Sequence, residues 1–481
     1  MCFSIWNTAG GAETGRNNMK MTFALYIGNR GFFPGEVIES ARRDMIAAIE
    51  ASGNFCIYPD VERTAYGAVE TAKEGKLFAK FLEENRGKFQ GIVLCLPNFG
   101  DENGALAALK DAGVPILVQA YPDELGKMDF AHRRDAMCGK FAMCNVLRQA
   151  GIPFTQTATF VEDPKSDAFC EDLKRFAKVC RVVWGMQHFH VGAIGARTTA
   201  FKTVRADETA LQKRGIEVET IDLSEVFARM EKVEQSAAEE KKQEVLRVTD
   251  FGDWGEEKLD KIAKLQVVLE DIAEEYDLQA MAIRCWPELQ TNLAIAPCTN
   301  VGILNEKGIA TACELDINNA VMMRALALAS DTPTTLLDFN NNYGNETDKA
   351  IMFHCGPMPI SMMTGKGKTI EHLMFKKTFG DGSGAGVNKG EIRSGNITFG
   401  SLKTENGRLS AFVSDGAFTD DKFDAAFFGS GKVVKKDGIY DICSYMAENG
   451  YKHHICIALD DCKEAVREAF TKYLDIDTDV F

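Results

Sequence analysis

The chain has 481 residues, of which 45% are hydrophobic and 26% are charged, and its formal net charge is −15. This length exceeds what one hydrophobic core usually serves, so two or three domains are expected. The acidic balance argues against nucleic acid as a partner, because phosphate binding needs a basic face, and it disfavours adsorption to an anionic membrane. No apolar run is long enough to span a bilayer, and no secretory signal is recognisable. The 14 cysteines follow no regular spacing, which fits a reducing compartment, so a cytoplasmic location is predicted. Together with the acidic composition, this favours a soluble enzyme.

The first third of the chain alternates strand and helix patterns. Residues 1–20 are predicted to form a polar extension. After them come the strand pattern MTFALYIG, a glycine-containing loop and the helix pattern EVIESARRDMIAAIEAS. Two further units of this kind contain the continuous apolar segments GIVLCLPNF and VPILVQAYP, which are typical of buried parallel strands. The pattern predicts an α/β domain with a parallel sheet over residues 21–165.

A second α/β domain is predicted over residues 166–356, and the chain is organised around its last part, Met281–Gly356. Three segments there, AIRCWPE, TTLLDFN and AIMFHCG, combine an apolar run with a polar residue near its end. An amphipathic helix that begins near Glu314 lies between the first two. In an open α/β sheet the carboxyl ends of the strands face the ligand crevice. We therefore expect Glu314, Asp338 and His354 to be within reach of a ligand.

The character of the sequence changes after residue 356. Glycine-rich segments surround short runs of period-two alternation, such as ITFGSLKT and RLSAFVSD. Such runs are typical of antiparallel strands joined by tight turns. The chain closes with a helix pattern, the pair His453–His454, an apolar strand pattern and a last helix pattern. We therefore predict a β-rich, barrel-like domain with terminal helices over residues 357–481.

Four polar positions lie beside apolar elements: Glu314, Asp338, His354 and one of the pair His453–His454. A polar group next to buried strands is costly unless it is paired or bound to a metal. Two carboxylates with imidazole suit Mn²⁺, Mg²⁺ or a similar divalent ion. Each position also has a structural interpretation: Glu314 could cap the following helix, Asp338 could open a turn, and His354 could be a satisfied core histidine. The pattern alone leaves both interpretations open.

Five stretches resemble the L-fucose isomerase and L-arabinose isomerase superfamily: RCWPELQ, ACELDI, LLDFNNN, FHCGPMP and GYKHHICIAL. The resemblance covers most of the chain from Met21 onward and is strongest between residues 281 and 356. It implies two Rossmann-like α/β domains with parallel sheets, followed by a C-terminal β-rich, barrel-like domain. It also implies a homo-oligomer, either a trimer or a hexamer, and a Mn²⁺ cofactor, with Mg²⁺ or Co²⁺ as other divalent candidates.

The resemblance also implies a set of metal ligands. Glu314 and Asp338 match the two acidic ligands of the superfamily, and His454, with His453 as the alternative, matches its C-terminal histidine ligand. His354 matches a further histidine ligand of the arabinose-type enzymes. The chain departs from both patterns. Its C-terminal region is shorter than in a typical fucose isomerase, and its second acid is aspartate, as in fucose isomerases, where arabinose isomerases use glutamate.

The activity implied by the resemblance is the interconversion of an aldose and its ketose through a cis-enediol. Glu314 and Asp338 are then expected to be the catalytic acid and base, while the metal polarises the carbonyl. The residues expected to bind the sugar are Trp286, Glu288, Gln290 and His453, and Trp286 is equally compatible with a position in the core. The sugar itself is left open. Two other functions are compatible with the sequence: a non-catalytic sugar-binding or regulatory protein on the same fold, and an epimerase-type enzyme for a modified sugar.

Overall fold

The computed structural model describes residues 19–423 and 429–481. Residues 1–18, which make up most of the predicted polar extension, lie outside the described residues. Within the described part of the chain, no helix has the length and apolar character needed to cross a membrane.

The chain forms two compact units. The N-terminal unit contains residues 19–184 and 468–475, and the C-terminal unit contains the described residues of 185–467 together with 476–481. The division into three domains with boundaries at residues 165 and 356 stays a prediction.

The N-terminal unit is built around a five-stranded parallel sheet. Its strands are β1 (Thr22–Ile27), β2 (Phe55–Ile57), β3 (Gly91–Leu96), β4 (Ile116–Ala120) and β5 (Thr155–Gln156). Its helices are α1 (Val37–Ala51), α2 (Ala72–Glu84), α3 (Glu102–Leu109), α4 (Ala136–Gln149) and, up to Trp184, α5 (Asp167–Met186). The strand order is β2-β1-β3-β4-β5. The central strand β3 is buried at every residue, as its continuous apolar sequence predicts.

The C-terminal unit begins with a second parallel sheet. The strands of this part are β6 (Phe189–Ile194), β7 (Ile216–Ile221), β8 (Thr249–Asp250), β9 (Leu278–Ile283) and β10 (Ala310–Cys313). Its helices are α6 (Glu208–Gln212), α7 (Leu223–Met230), α8 (Gln235–Val248), α9 (Glu256–Glu275), α10 (Glu288–Leu293), α11 (Cys298–Glu306) and α12 (Ile317–Ser330). The sheet has the order β10-β9-β6-β7. The predicted pair of parallel α/β sheets is thereby confirmed.

The rest of the C-terminal unit is rich in strands. These are β11 (Thr334–Asn342), β12 (Lys349–His354), β13 (Gly367–Glu371), β14 (Ala385–Lys389), β15 (Gly395–Glu405), β16 (Arg408–Phe418), β17 (Ser430–Lys435), β18 (His454–Ala458) and β19 (Asp477–Val480). The helices between them are α13 (Leu373–Phe379), α14 (Ile439–Glu448) and α15 (Lys463–Glu468). A small sheet joins β14, β13 and β8.

Six antiparallel strands close into a ring. The order β15-β18-β11-β12-β17-β16 is completed by a long hairpin pairing between β16 and β15, and β19 adds to β16 in parallel. Closure removes the exposed edges that an open sheet would leave. The predicted barrel-like C-terminal fold is confirmed by this ring.

Two strands belong to a different sheet from the one that the sequence indicates. The strand patterns TTLLDFN and AIMFHCG were expected to complete the second parallel sheet, but β11 and β12 pair with each other and with barrel strands. A short apolar run is compatible with either environment, because a buried antiparallel strand and a parallel one bury the same residue types. The partner of a strand therefore cannot be read from the run itself.

Helix α12 also differs from its prediction. The sequence predicts an amphipathic helix, yet every residue of Ile317–Ser330 is buried. One side of α12 packs on β6, β9 and β10 of the parallel sheet, and the helix also packs on β11, β15 and β18 of the barrel. A helix between two layers has no solvent face, which explains the abundance of small and apolar residues around its circumference.

Candidate metal centre

Three of the predicted ligands come together on barrel strands. Asp338 lies within β11, His354 ends β12 and His454 begins β18. The antiparallel register places Asp338 opposite His454. One ligand atom from each of the three residues lies within 4.8 Å of the others. Because strand pairing holds the backbone of all three residues, the barrel fixes their side chains relative to one another.

Glu314 reaches the same place from the parallel sheet. It directly follows β10, and both Glu314 and Leu315 have a φ of 61°. This left-handed conformation is uncommon outside glycine and costs on the order of 1 kcal/mol or more per residue. The N–H of Leu315 donates to the Ile283 carbonyl over 3.1 Å, which holds the turn. The turn brings Glu314 Oε2 to 3.1 Å from His454 Nε2.

Asp316, which belongs to none of the predicted ligand positions, orients His454. Its Oδ2 lies 2.8 Å from His454 Nδ1, so Nε2 faces Glu314 at 3.1 Å and Asp338 at 3.7 Å. Carboxylates that hold the far nitrogen of a histidine in this way orient metal ligands. Lys452 Nζ lies 3.0 Å from Asp316 Oδ1. The sequence offers one signal for this role, an acid at the N-cap of α12 two residues after Glu314.

Burial and charge together set the protonation of the centre. Burial alone would raise the pKa of Glu314, but the hydrogen bond and charge of His454 lower it. Burial would also raise the pKa of Asp316, and its cationic neighbours lower it. Burial alone would lower the pKa of His454, but hydrogen bonds to Asp316 and Glu314 raise it to about 9. For His453, burial and the charge of His454 both lower the pKa. The two neighbouring histidines therefore favour opposite protonation states.

The donor set fits a divalent ion. Asp338 Oδ1 is buried and has no hydrogen-bond partner among the described residues. Such an oxygen is costly unless a cation or a donor approaches it. His454 Nε2 is aimed at the same place, and a metal binds imidazole in its deprotonated form. Carboxylate oxygens and imidazole nitrogens suit Mn²⁺ or an ion of similar hardness, so Glu314, Asp338, His354 and His454 would hold it.

Two of the residues predicted to bind the sugar have very different surroundings. His453 borders the centre: its Nε2 lies 3.9 Å from Asp338 Oδ1, and 44% of its side chain is exposed. Gln290 is only 3% exposed, and its amide nitrogen donates to the carbonyls of Cys285 at 3.0 Å and Ile295 at 2.9 Å. The side chain of Gln290 therefore holds the local backbone together.

The other two predicted sugar-binding residues follow β9: Trp286 lies in the connecting loop, and Glu288 is the first residue of α10. Glu288 accepts a hydrogen bond from Arg284 over 2.5 Å. Trp286 packs against the core of the parallel-sheet part. The sugar-binding roles of all four residues stay predictions. Phe201 also borders the centre, although no motif indicates it: its ring centroid lies 5.8 Å and 5.7 Å from those of His453 and His454.

Two family models match the chain. The model of the fucose/sulfoquinovose isomerase N-terminal domain matches residues 24–187, and that of the L-fucose isomerase C-terminal domain matches residues 352–481. Sulfoquinovose isomerases from Priestia aryabhattai and Priestia megaterium are each 23% identical to the chain, over 96% of this chain and 100% of theirs. A sulfoquinovose isomerase from Alkalicoccus urumqiensis is 23% identical over 81% of this chain and 85% of its own.

The match to a solved structure, that of apo D-lactate dehydrogenase from Escherichia coli, covers 65% of this chain and 93% of that one, with 10% identity and a TM-score of 0.16. Two parallel α/β sheets, a closed barrel and the two matched domain models define a protein of the sugar-isomerase class. The chain belongs to the fucose isomerase-like superfamily, and this confirms the resemblance seen in its motifs.

Proposed function

We propose that the protein is a metal-dependent aldose–ketose isomerase that acts through a cis-enediol. One observation carries the proposal: Asp338, His354 and His454 converge on a single point, and Glu314 contacts His454 there. Ketol isomerisation needs a cation near the substrate oxygens and groups that move a proton between neighbouring carbons. The converging carboxylates and imidazoles would hold such a cation, and the carboxylates can also move the proton.

The comparisons support an aldose–ketose isomerase in general terms. Both matched domain models carry the names of sugar isomerases, and so do the relatives. Because these relatives are named as sulfoquinovose isomerases, a sulfonated aldose joins fucose and arabinose among the substrates to test. Mn²⁺ as the native ion, a cytoplasmic location and homo-oligomeric assembly stay predictions.

The side chains of the centre divide the work of the proposed reaction. A bound divalent ion supplies a Lewis acid for the substrate carbonyl. One of the two carboxylates, Glu314 or Asp338, removes the proton at C2, and the other, in its acid form, returns a proton at C1, while the hydroxyl proton passes from O2 to O1. Asp316 keeps His454 Nε2 directed at both carboxylates through the 2.8 Å contact to Nδ1. The aromatic ring of Phe201 offers an apolar surface for the C–H face of a sugar.

A metal-dependent isomerase screen tests the proposal. Protein stripped with EDTA is incubated with sulfoquinovose, fucose, arabinose, ribose or rhamnose, with and without Mn²⁺, in deuterated water. We expect ketose to form only with the metal, and deuterium to enter at the carbon that exchanges its proton. The sugar with the highest kcat/KM then identifies the substrate class.

Other outcomes discriminate between the alternatives. Deuterium exchange at C2 without ketose would favour an epimerase-type reaction. No turnover, together with tight Mn²⁺ binding that Glu314→Gln abolishes, would keep the metal centre and indicate a sugar outside the set. Absence of both turnover and Mn²⁺ binding would overturn the proposal and favour a non-catalytic sugar-binding protein.

A further inference from the structure

Four cysteines form a cluster, and two of them are adjacent in sequence to residues of the metal centre. We call Cys285, Cys298, Cys313 and Cys355 the thiol cluster. Three of them are buried, and Cys355 is partly exposed. Cys298 Sγ and Cys355 Sγ lie 3.4 Å apart, and the thiol of Cys313 is in hydrogen-bonding contact with those of Cys285 and Cys355. Nothing in the proposed isomerase reaction uses these thiols.

The thiol cluster is connected to the ligands through the chain. Cys313 immediately precedes Glu314, and Cys355 immediately follows His354. Cys355 also contacts the imidazole of His354 twice: its N–H donates to Nδ1 over 2.9 Å, and its sulfur lies 3.1 Å from the same nitrogen. A change in the position of Cys355 therefore changes what holds the His354 ring.

The arrangement favours a disulfide over a thiolate metal site. Among the described residues, the group formed by Asp338, His354 and His454 is the one spaced tightly enough to hold an ion. The pair Cys298–Cys355, in contrast, is already in van der Waals contact, and closing it to the disulfide length of about 2.05 Å needs a shift of little more than 1 Å. Disulfides of reducing compartments are usually transient and redox-sensing.

We propose that Cys298 and Cys355 form a peroxide-sensitive disulfide that releases His354 from the metal centre. Peroxide transfers one oxygen to the partly exposed Cys355 sulfur, which gives a sulfenic acid and releases water. The sulfur of Cys298 then attacks that sulfur, forms the S–S bond and releases the second oxygen as water. The two thiols lose two protons and two electrons in total, and the peroxide accepts them.

Bond formation affects the centre because the sulfur of Cys355 cannot serve both partners. As Cys355 Sγ moves toward Cys298 it leaves the His354 imidazole, and the backbone N–H of residue 355 turns with it. Loss of such supporting contacts typically weakens metal binding about 10- to 100-fold. Formation of the disulfide does not depend on the proposed isomerase activity. Only an effect of the disulfide on turnover rests on that proposed function.

Peptide mapping and Mn²⁺ binding together test the proposal. The full-length reduced protein is treated with hydrogen peroxide, quenched with catalase, alkylated and digested without reductant, and Mn²⁺ affinity is measured by electron paramagnetic resonance. We expect a joined peptide that contains Cys298 and Cys355, and Mn²⁺ affinity about 10-fold or more weaker, restored by dithiothreitol. Cys298→Ala should lack the joined peptide and keep its Mn²⁺ affinity after peroxide.

A matched control is Cys443→Ala, since Cys443 is also partly buried and belongs to the same unit. It should respond to peroxide as the wild-type protein does. If Cys298→Ala does not fold, Cys298→Ser takes its place. The peptide map of the wild-type protein tests for the Cys298–Cys355 disulfide without any variant. The proposal is overturned if the exposed Cys138 is oxidised while no Cys298–Cys355 peptide forms, or if the disulfide forms and Mn²⁺ affinity does not change.

Discussion

The parallel sheet and the barrel of the C-terminal unit contribute to the candidate metal centre in different ways. Asp338 and His454 lie opposite each other on paired barrel strands, so their separation is set by strand register. Glu314 lies in a turn after β10 with two successive left-handed residues. The barrel therefore provides a fixed pair of ligands, whereas the sheet provides an acid on a strained turn. Strain of this kind is common at functional sites because function, and not stability, selects it.

The largest effects on activity are expected when either carboxylate, one from the barrel and one from the parallel sheet, is replaced. Asp338→Asn removes an acid from the barrel and Glu314→Gln removes one from the sheet, and each should lower kcat by about 1,000-fold or more, which corresponds to about 4 kcal/mol. Each change removes a charge that both moves protons and binds the metal. The measurement is steady-state kinetics with the best substrate of the screen, with circular dichroism to verify folding.

A control for the carboxylate variants is Glu346→Gln, in the loop that joins β11 and β12, where Glu346 pairs with Lys349 over 2.8 Å. A surface pair of this kind contributes little, so kcat should stay within about twofold of wild type. Near-normal turnover in Asp338→Asn or Glu314→Gln would remove that residue from the catalytic assignment.

The stability of the metal-free protein should depend on pH through the buried His454. Its pKa is raised to about 9 in the folded protein from about 6.5 in an unfolded chain. A raised pKa means that the stabilisation is fully present below pH 6.5 and is lost as the pH rises through 9. The loss is on the order of 3 kcal/mol. Urea unfolding of EDTA-treated protein between pH 6 and 10 measures it.

The carboxylates act on stability in the opposite direction. The pKa values of Glu314 and Asp316 are lowered, so their contribution is present above pH 4–5 and is lost as the pH falls through the folded values. Stability of the metal-free protein should therefore be highest between about pH 5 and 6.5. A flat profile from pH 6 to 10 would contradict the assignment of a protonated, ion-paired His454.

The adjacent histidines provide a third comparison. His454 is fully buried with both ring nitrogens engaged, whereas 44% of the His453 side chain is exposed. We expect His454→Gln to weaken Mn²⁺ binding about 100-fold or more, roughly 2.7 kcal/mol, and His453→Gln to weaken it less than about 10-fold. Titration with Mn²⁺ followed by electron paramagnetic resonance measures both. Equal losses in the two variants would show that the ligand assignment between them is wrong.

The smallest effect is expected at Asp316, which supports a ligand without being one. Asp316→Asn should keep the fold but weaken Mn²⁺ binding about 10- to 100-fold, since the amide no longer fixes the protonated Nδ1 of His454 as a carboxylate does. Asp316 also caps α12, accepting from the N–H of Asn319 at 3.2 Å. The effect of a lost cap has to be separated from the effect on the histidine.

A matched variant separates them. Asp222 caps α7 by accepting from the N–H of Ser224 at 2.8 Å, and the hydrogen bonds that lower its pKa come from Ser224 and from no histidine. Asp222→Asn removes an N-cap carboxylate without touching a histidine, so Mn²⁺ affinity should fall in Asp316→Asn and stay unchanged in Asp222→Asn. If both variants bind Mn²⁺ like the wild-type protein, the carboxylate–histidine contact does not orient the ligand.

Local sequence patterns predicted the layers of this fold but not all of their pairings. The apolar segment GIVLCLPNF contains β3 of a parallel sheet, as its composition indicates, whereas the strand predicted in AIRCWPE begins earlier, as β9 at Leu278. In the barrel, β11 pairs with β18 and β12 pairs with β17. These partners lie about 80 to 120 residues away along the chain, so the local sequence does not indicate them. Such pairing depends on the complete fold, and no local period records it.

The site shows the same limit. The motifs indicated Glu314, Asp338, His354 and His454, which are residues whose chemistry is visible in their type. Asp316 was missed because its partner His454 is 138 residues distant, and the turn at Leu315 was missed because leucine carries no signal for a left-handed backbone. Supporting contacts and backbone strain are properties of the folded chain.

Helix α12 has a consequence for the way the C-terminal unit unfolds. Helix α12 packs on both the parallel sheet and the barrel and is buried throughout. If either layer separated from the helix, the apolar surface of α12 that it covers would become exposed. The two layers should therefore melt in one cooperative transition, and a cavity made at Leu326 should lower the unfolding temperature of both together. Cooperativity of this kind keeps the acid from the sheet and the histidine from the barrel in register for as long as the unit is folded.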